Sequence, residues 1–181
     1  MSLKSIFIVS IHLFAALCTA LLIAIYFTSG VGEFVIYFTL FTGALWATLL
    51  YFSMTGKKKI QRIVKSVFAD SNSVISHNSP YSLRYVGIDT NTGNILLIAL
   101  DKLRPQVFGF NYNDWAGYEK KDCLLTLKFN DLNNPSFQIN SNATINPFVD
   151  KLDFLLSSSY TPSTGNNKQF SKIVTEKLQT V

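Results

Sequence analysis

Two long apolar stretches open the chain, and each is long enough to cross a membrane as a helix. Residues 6–28 (IFIVSIHLFAALCTALLIAIYFT) and residues 34–54 (FVIYFTLFTGALWATLLYFSM) contain no charged side chain. A helix of about 20 residues spans the hydrocarbon core of a bilayer. The link between them, SGVGE, is short and carries two glycines, as a tight turn between two helices requires. This pattern predicts a two-helix transmembrane hairpin over residues 1–56.

The pattern changes between residues 72 and 159 to short β-rich runs separated by turn residues. In CLLTLKF (123–129) apolar residues alternate with others, so that one face carries Cys123, Leu125, Leu127 and Phe129. Seven β-rich runs occur, the first of them a weak strand signal, and roughly six antiparallel strands are expected. The β-rich runs lie at 73–77, 82–89, 94–100, 106–112, 115–121, 123–129 and 136–140.

A helical period follows the last run. The segment TINPFVDKLDFLLSS spaces its apolar residues so that they share one face of a helix, which can close the sheet. The predicted fold class is therefore a transmembrane hairpin plus a small α+β cytosolic domain over 72–159. In its order of elements this domain resembles the pleckstrin-homology-like barrel, in which a C-terminal helix closes the strands. An open antiparallel sheet is the alternative. Residues 160–181 begin with YTPSTGNN, a linker composition that predicts a flexible tail.

A basic juxtamembrane helix is predicted between hairpin and domain, over residues 57–71. Its apolar residues follow helical spacing, with the bases mostly elsewhere on the helix. The helix could lie on an anionic leaflet, or its apolar face could pack on the domain. The sequence leaves both alternatives open. The candidate membrane-surface residues are Lys57, Lys58, Lys59, Arg62 and Lys65.

Charge distribution gives the expected location. The net charge of +5 is concentrated beside the spans, because residues 66–181 hold ten bases and ten acids. A nucleic-acid partner is therefore not expected, since such proteins spread bases over a folded face. Lys4 and the basic run flank the hairpin on one side, while Glu33 lies in the loop on the other. By the positive-inside rule, we expect an inner-membrane protein with two spans and both termini in the cytoplasm.

Small residues recur every four positions in both spans, and they predict where the two helices pack. Close approach of backbones favours helix association in lipid. His12 extends the first stripe and is a candidate functional group inside the membrane. The expected helix-packing residues are His12, Ala16, Ala20, Ala24, Gly43 and Ala47.

The chemistry-bearing side chains form no recognisable motif. His77 and Cys123 lie in different predicted strands, and no metal-ligand, phosphate-loop or nucleophile-elbow spacing occurs. We therefore expect a non-enzymatic protein with no catalytic residues, no metal site and no cofactor. The aromatic segment FGFNYNDWAGYEKK is the best candidate for a protein-binding surface, because Tyr and Trp dominate binding hot spots. Its expected exposed members are Tyr112, Trp115 and Tyr118.

The opening MSLKSIFIVSIHLFAALCTALLIAIYF and the soluble segment YVGIDTNTGNILLIALDKLRP give the chain an overall likeness to one functional class. In these segments and in its size it resembles the entry-exclusion proteins of conjugative plasmids, which stop a cell from receiving a plasmid it already carries. The resemblance implies a protein partner from the donor's conjugative transfer apparatus. The alternative is a membrane-anchored lipid-sensing or regulatory module with a pleckstrin-homology-like domain. Membrane lipids are expected partners in either case, and a homo-oligomer stays open.

Overall fold

The computed structural model describes residues 3–30, 32–68, 70, 72–79, 83–101, 105–141, 145–162 and 170–178. The chain divides into two compact units, Met1–Lys57 and Lys58–Val181. The first unit is the helical hairpin, and the second is the domain that follows it.

Two long helices form the first unit. Helix α1 (Leu3–Ser29) contains the first predicted span, and helix α2 (Glu33–Val67) contains the second and continues into the second unit. Both are long and apolar enough to cross a membrane, so the two predicted spans are confirmed to that extent. Just after α1, Gly30 takes a left-handed φ of +68° and its N–H donates to the Tyr26 carbonyl. Glycine is favoured after a helix because this conformation strains other residues.

The second unit contains two antiparallel sheets. Seven strands appear in its described residues, against the roughly six predicted. The four-stranded sheet joins β1 (Val74–Ser79), β2 (Arg84–Asp89), β3 (Ile95–Ala99) and β4 (Gln106–Phe110) in chain order. The three-stranded sheet joins β5 (Trp115–Lys121), β6 (Leu124–Phe129) and β7 (Ser136–Asn140), also in chain order. A short 3-10 helix, Tyr112–Asp114, lies between β4 and β5.

Helix α3 (Asn146–Leu156) follows β7, as predicted, and packs on the main core of the domain. Leu125, Leu127 and Phe129 are buried there, which confirms the alternation that was read along β6. Cys123 was expected on the same face and that expectation is wrong, because Cys123 is exposed in the turn before β6. The turn includes Asp122 at a left-handed φ of 50°, which ends the β5 ladder before Cys123 can join β6.

A second apolar cluster covers the four-stranded sheet. All five residues of β3 are buried, because the sheet carries apolar side chains on both faces. The second cluster contains the end of α2, sheet residues such as Leu96 and Ile98, and helix α4 (Phe170–Leu178). A strand buried on both faces reads as a continuous apolar run, and NILLIAL is such a run.

Helix α4 corrects the prediction of a flexible tail over 160–181. Phe170 and Val174 are 3% and 1% exposed, and α4 packs against β4. Gly109 makes this approach possible, since a Cβ there would lie 2.8 Å from Val174 Cγ2. A glycine inside a strand is typical of a bulge or of a close backbone approach, and the structure shows the close approach at Gly109. Residues 163–169 and 179–181 of the predicted tail lie outside the described residues.

Candidate functional site

The last ten residues of α2, from Lys58 to Val67, form one edge of the domain. Ile60 and Ile63 are each 2% exposed and belong to the cluster on the four-stranded sheet. Of the two alternatives left open for this helix, the structure shows the second: its apolar face packs on the domain. That face is therefore occupied and unable to enter a bilayer.

The bases of the same segment point away from the domain. All five predicted membrane-surface residues are exposed. Lys58, Arg62 and Lys65 follow an i, i+4, i+7 spacing, which places them along one face of the helix. Ile60, Ile63 and Val67 lie on the opposite side at 3.6 residues per turn. We call Lys58, Arg62 and Lys65 the basic stripe.

The basic stripe has no neutralising partner among the ion pairs found in the described residues. Those pairs are Arg84 with Asp101 and Lys128 with Glu119. Within α2 itself the sole acid is Glu33, in its first turn. Near the other end of the helix, the Lys177 ammonium donates to the Ser66 carbonyl oxygen at 2.5 Å and adds a further positive charge. The stripe therefore presents an uncompensated charge of +3 to solvent.

The predicted aromatic binding surface is not exposed as expected. Trp115 is 6% exposed, and its indole N–H donates to the Gly117 carbonyl oxygen at 2.8 Å. Tyr112 is partly buried against the main core, and its hydroxyl donates to the Leu155 carbonyl oxygen at 2.7 Å. The exposure expected of Trp115 is therefore wrong, and Tyr112 is partly buried, because both rings pack on the main core. Partner binding by this segment stays a prediction.

Tyr118 is also partly buried against that core. Its hydroxyl donates to the Asp153 carboxylate of α3. Burial and this carboxylate together raise the pKa of Tyr118 to about 12, since both disfavour the phenolate. Tyr118 therefore joins β5 to α3 and is engaged within the domain.

The predicted helix-packing residues lie mostly outside the helix contact. Ala16, Ala20, Ala24, Gly43 and Ala47 are exposed, and a Cβ on Gly43 would meet nothing within 4 Å. A stripe of four-residue steps drifts by about 40° per step, because four residues exceed one turn of 3.6. In this structure the stripe lies away from the other span, so the predicted packing between the spans is wrong apart from His12.

The observed contact follows a heptad spacing. Its buried and half-buried side chains recur at alternating steps of three and four residues, the spacing of left-handed helix pairs. On α1 they are Ile11, Ala15, Cys18, Leu22 and Ile25, and on α2 they are Val35, Phe38, Thr42, Leu45 and Leu49. We call these ten residues the hairpin seam.

His12 lies beside the hairpin seam and is half-buried. Its ring meets the Trp46 indole edge-on, with centroids 6.3 Å apart. Two turns further along α1, Thr19 continues this contact, because Trp46 Nε1 donates to Thr19 Oγ1 at 3.1 Å. Thr19 Oγ1 in turn donates to the Ala15 carbonyl oxygen at 2.8 Å. Neither Trp46 nor Thr19 was predicted from the sequence. A Trp and a Thr within apolar stretches were the available signal.

An ion pair on the four-stranded sheet was also not predicted. The Arg84 guanidinium bonds the Asp101 carboxylate through two atoms, with Nε–Oδ1 at 3.1 Å and Nη2–Oδ2 at 2.9 Å. Arg84 Nη1 donates to the Gln138 carbonyl oxygen of β7, and Arg84 Cζ lies 5.8 Å from the centroid of the Phe137 ring. Asp101 is 3% exposed. A buried carboxylate needs such a partner. The pair also holds Arg84 in place, and the bond from Arg84 to the Gln138 carbonyl joins β2 to β7.

His77 and Cys123 occupy different environments. His77 is buried on β1, with Nε2 3.4 Å from the Asn140 carbonyl oxygen and its ring 5.8 Å from that of Phe148. Burial lowers the pKa of His77, and the Asn140 carbonyl opposes this effect. Within the described part of the chain, no three His, Cys, Asp or Glu side chains are grouped so as to hold a metal ion.

Comparison with known proteins adds no relative. No protein-family model matches the chain, and searches of curated proteins and of solved structures found no match.

Proposed function

We infer that this chain is a membrane-anchored interaction protein whose domain recognises a partner and catalyses no reaction. One observation carries the inference: in the described part of the domain, the titratable groups that are fully or partly buried are engaged by the domain itself. Asp101 binds Arg84, His77 lies against the Asn140 carbonyl, and Tyr118 binds Asp153. Groups used in this way hold the fold together instead of lining a reaction site.

The proposal includes the finer architecture and the location. Four strands, three strands and then a helix agree with a pleckstrin-homology-like barrel closed by α3. The basic run beside the second span and Glu33 between the helices support an inner-membrane hairpin with both termini in the cytoplasm. Cytoplasm-active reporters fused at Met1 or Val181 should then function, and a periplasm-active reporter should function at Gly32. A working periplasmic reporter after Val181 contradicts this topology.

The recognition event we propose is plasmid exclusion, as the likeness to entry-exclusion proteins implies. The partner is then a donor-encoded protein of the transfer apparatus. Recipient cells that express the full chain should take up fewer copies of a plasmid from one transfer system, with uptake of unrelated plasmids unchanged. The measurement is the number of transconjugants per recipient over a panel of conjugative plasmids. Unchanged uptake of every plasmid in the panel contradicts the proposal.

A matched variant shows whether the domain carries this effect. Leu152→Ala removes a fully buried side chain of α3 and leaves both apolar helices intact. We expect it to abolish exclusion while the protein remains in the membrane fraction. Leu132→Ala, at a fully exposed position, is the control and should exclude as well as the unaltered chain.

A lipid-sensing module is the second candidate, and the exposed basic stripe favours it. A sensor of this kind reads the charge of the adjoining leaflet and needs no protein from a donor cell. The two candidates separate in the mating assay, because lipid sensing gives no dependence on the transfer system.

A further inference from the structure

We propose that the basic stripe, Lys58, Arg62 and Lys65, is a docking surface for an anionic bilayer that works through charge alone. The proposal rests on the membrane anchoring inferred above and is independent of plasmid exclusion. Its occupant is the head-group layer of the adjoining leaflet. The surface holds the domain beside that layer without any apolar side chain entering it.

The chain's own connectivity selects a bilayer as the occupant. The second apolar stretch ends at Met54, four residues before Lys58. The start of the stripe is therefore within reach of any membrane that holds the second span, and Arg62 and Lys65 follow it on the same helix. Each base close to an anionic leaflet strengthens binding to that leaflet by about fivefold.

The buried face of the segment decides the kind of contact. An amphipathic helix on a membrane normally inserts its apolar side into the acyl boundary. Here Ile60, Ile63 and Val67 are 2%, 2% and 8% exposed, because they pack on the four-stranded sheet. The charged side chains of the basic stripe are therefore what the segment presents to the lipid. Such a contact weakens as salt shortens the screening length to about 8 Å at physiological ionic strength.

Charge on the rest of the domain argues against nucleic acid as the occupant. The stripe covers two helical turns, about 10 Å from Lys58 to Lys65. Beyond it, residues 66–181 carry equal numbers of bases and acids. A duplex is gripped over a longer basic surface than this.

The test measures the accessibility of single lysines in the full chain. The protein is placed in nanodiscs of phosphatidylcholine, alone or mixed with phosphatidylglycerol, and treated with a water-soluble amine-acylating reagent. Mass spectrometry then gives the extent of labelling at each lysine. Lys65 is the informative position, because Lys57 and Lys59 adjoin the span and respond to any nearby leaflet. Lys121 and Lys151, exposed elsewhere in the domain, are internal controls.

We expect Lys65 to be labelled several-fold less in the anionic discs at low salt, and to regain its labelling at high salt. Arg62→Gln removes a neighbouring charge that the reagent does not detect. It should weaken the protection of Lys65 by about fivefold, which corresponds to the loss of one base near an anionic surface. Lys151→Gln removes the same charge at a distance from the stripe and should leave Lys65 protected.

Three results overturn the proposal. Equal labelling of Lys65 in neutral and anionic discs shows that the run acts as a stop-transfer signal alone. Protection that ignores salt shows an inserted contact. Protection in neutral discs by a short DNA duplex, stronger than that given by phosphatidylglycerol, assigns the stripe to nucleic acid. None of these readouts depends on mating, so plasmid exclusion can fail while the docking surface stands.

Discussion

The hairpin and the domain differ in how many of their large apolar side chains they bury. In the hairpin, the buried positions include Ala15 and Thr42, while Leu13 is 68% exposed. In the domain, large aliphatic side chains such as Leu97 and Leu127 are almost completely buried. The hairpin therefore exposes many side chains of the kind that form the core of the domain.

The bilayer proposed around the hairpin and the water around the domain account for the difference. In water, apolar surface is removed from solvent at about 25 cal/mol per Å², so size and apolarity decide what lies inside. In a bilayer the surroundings are as apolar as leucine, and helix contacts depend on close packing and on polar contacts. Hydropathy therefore identifies the core of the domain, but in the hairpin it identifies the span without its packing face.

The largest expected effect is in the core of the domain. Leu152→Ala should lower the free energy of unfolding of the domain by about 2–5 kcal/mol, because it leaves a cavity beneath α3. Hydrogen exchange of amides in β3 and β6, measured on the full chain in micelles, gives this quantity. Leu132→Ala is the matched control, at a position 101% exposed, and should change it by less than about 0.5 kcal/mol. Similar losses in both variants contradict the assignment of the core.

The hairpin offers a sharper contrast, between adjacent alanines. Ala15 is fully buried in the hairpin seam, whereas Ala16 is exposed. Ala15→Leu should destabilise the helix contact by about 1–3 kcal/mol, because the seam has no room for the added atoms. Ala16→Leu makes the same change one residue away and should have little effect. The indole resonance of Trp46 in micelles reports the contact, and a larger shift from Ala16→Leu contradicts the heptad seam.

Much of the domain follows from its sequence because water enforces alternation. The residues Leu125, Leu127 and Phe129 showed which face of β6 is buried, and the helix after β7 followed from its period. The packing of α4 on the four-stranded sheet could not be predicted from the sequence. Phe170 and Val174 belong to a short helix that is marginal alone, and Gly109 gave only a hint of its docking.

The charged residues of the candidate site were predictable from the sequence, but the surface that covers its apolar face was not. Lys58, Arg62 and Lys65 were evident from their charge, but a helix pattern cannot say whether lipid or protein covers its apolar side. The aromatic segment gave a wrong expectation for Trp115, because a segment rich in aromatic residues is found both in cores and in interfaces. In the spans, the step of four that joins Ala16 to Ala20 is common in any alanine-containing helix.

The domain should also respond to pH through its buried histidine. Burial lowers the pKa of His77 below its ordinary value of 6.5. The resulting stability is present above pH 6.5 and is lost as pH falls through the lower folded pKa, because the unfolded chain takes up the proton first. Hydrogen exchange of the domain between about pH 7.5 and pH 5.5 should show this loss, above the range in which ordinary carboxyl groups titrate.

Substitution of the two histidines assigns the effect. His77→Gln should remove the pH dependence in this window, and His12→Gln in the hairpin should leave it unchanged. A domain that becomes more stable as pH falls, or an unchanged slope in His77→Gln, contradicts the role given to the buried ring. The effect is expected to be smaller than that of Leu152→Ala, since no cavity forms.

The smallest effect compares one hydrogen bond in each region. Tyr112→Phe removes the bond to the Leu155 carbonyl oxygen and should lower the stability of the domain by about 1 kcal/mol. Thr19→Val removes the acceptor of the Trp46 indole and should weaken the hairpin by about 0.6 kcal/mol, the average for such bonds between membrane helices. Thr48→Val is the control, because Thr48 is exposed and donates to the Ala44 carbonyl of its own helix.

Exchange at the end of α3 measures the first change, and thermal loss of the Trp46 indole signal in micelles measures the second. The bond in the hairpin is expected to be the weaker one, since helices that separate within a bilayer find other polar partners there. A larger loss from Thr19→Val than from Tyr112→Phe contradicts this and shows that the polar contact beside the seam, instead of its packing, holds the hairpin together.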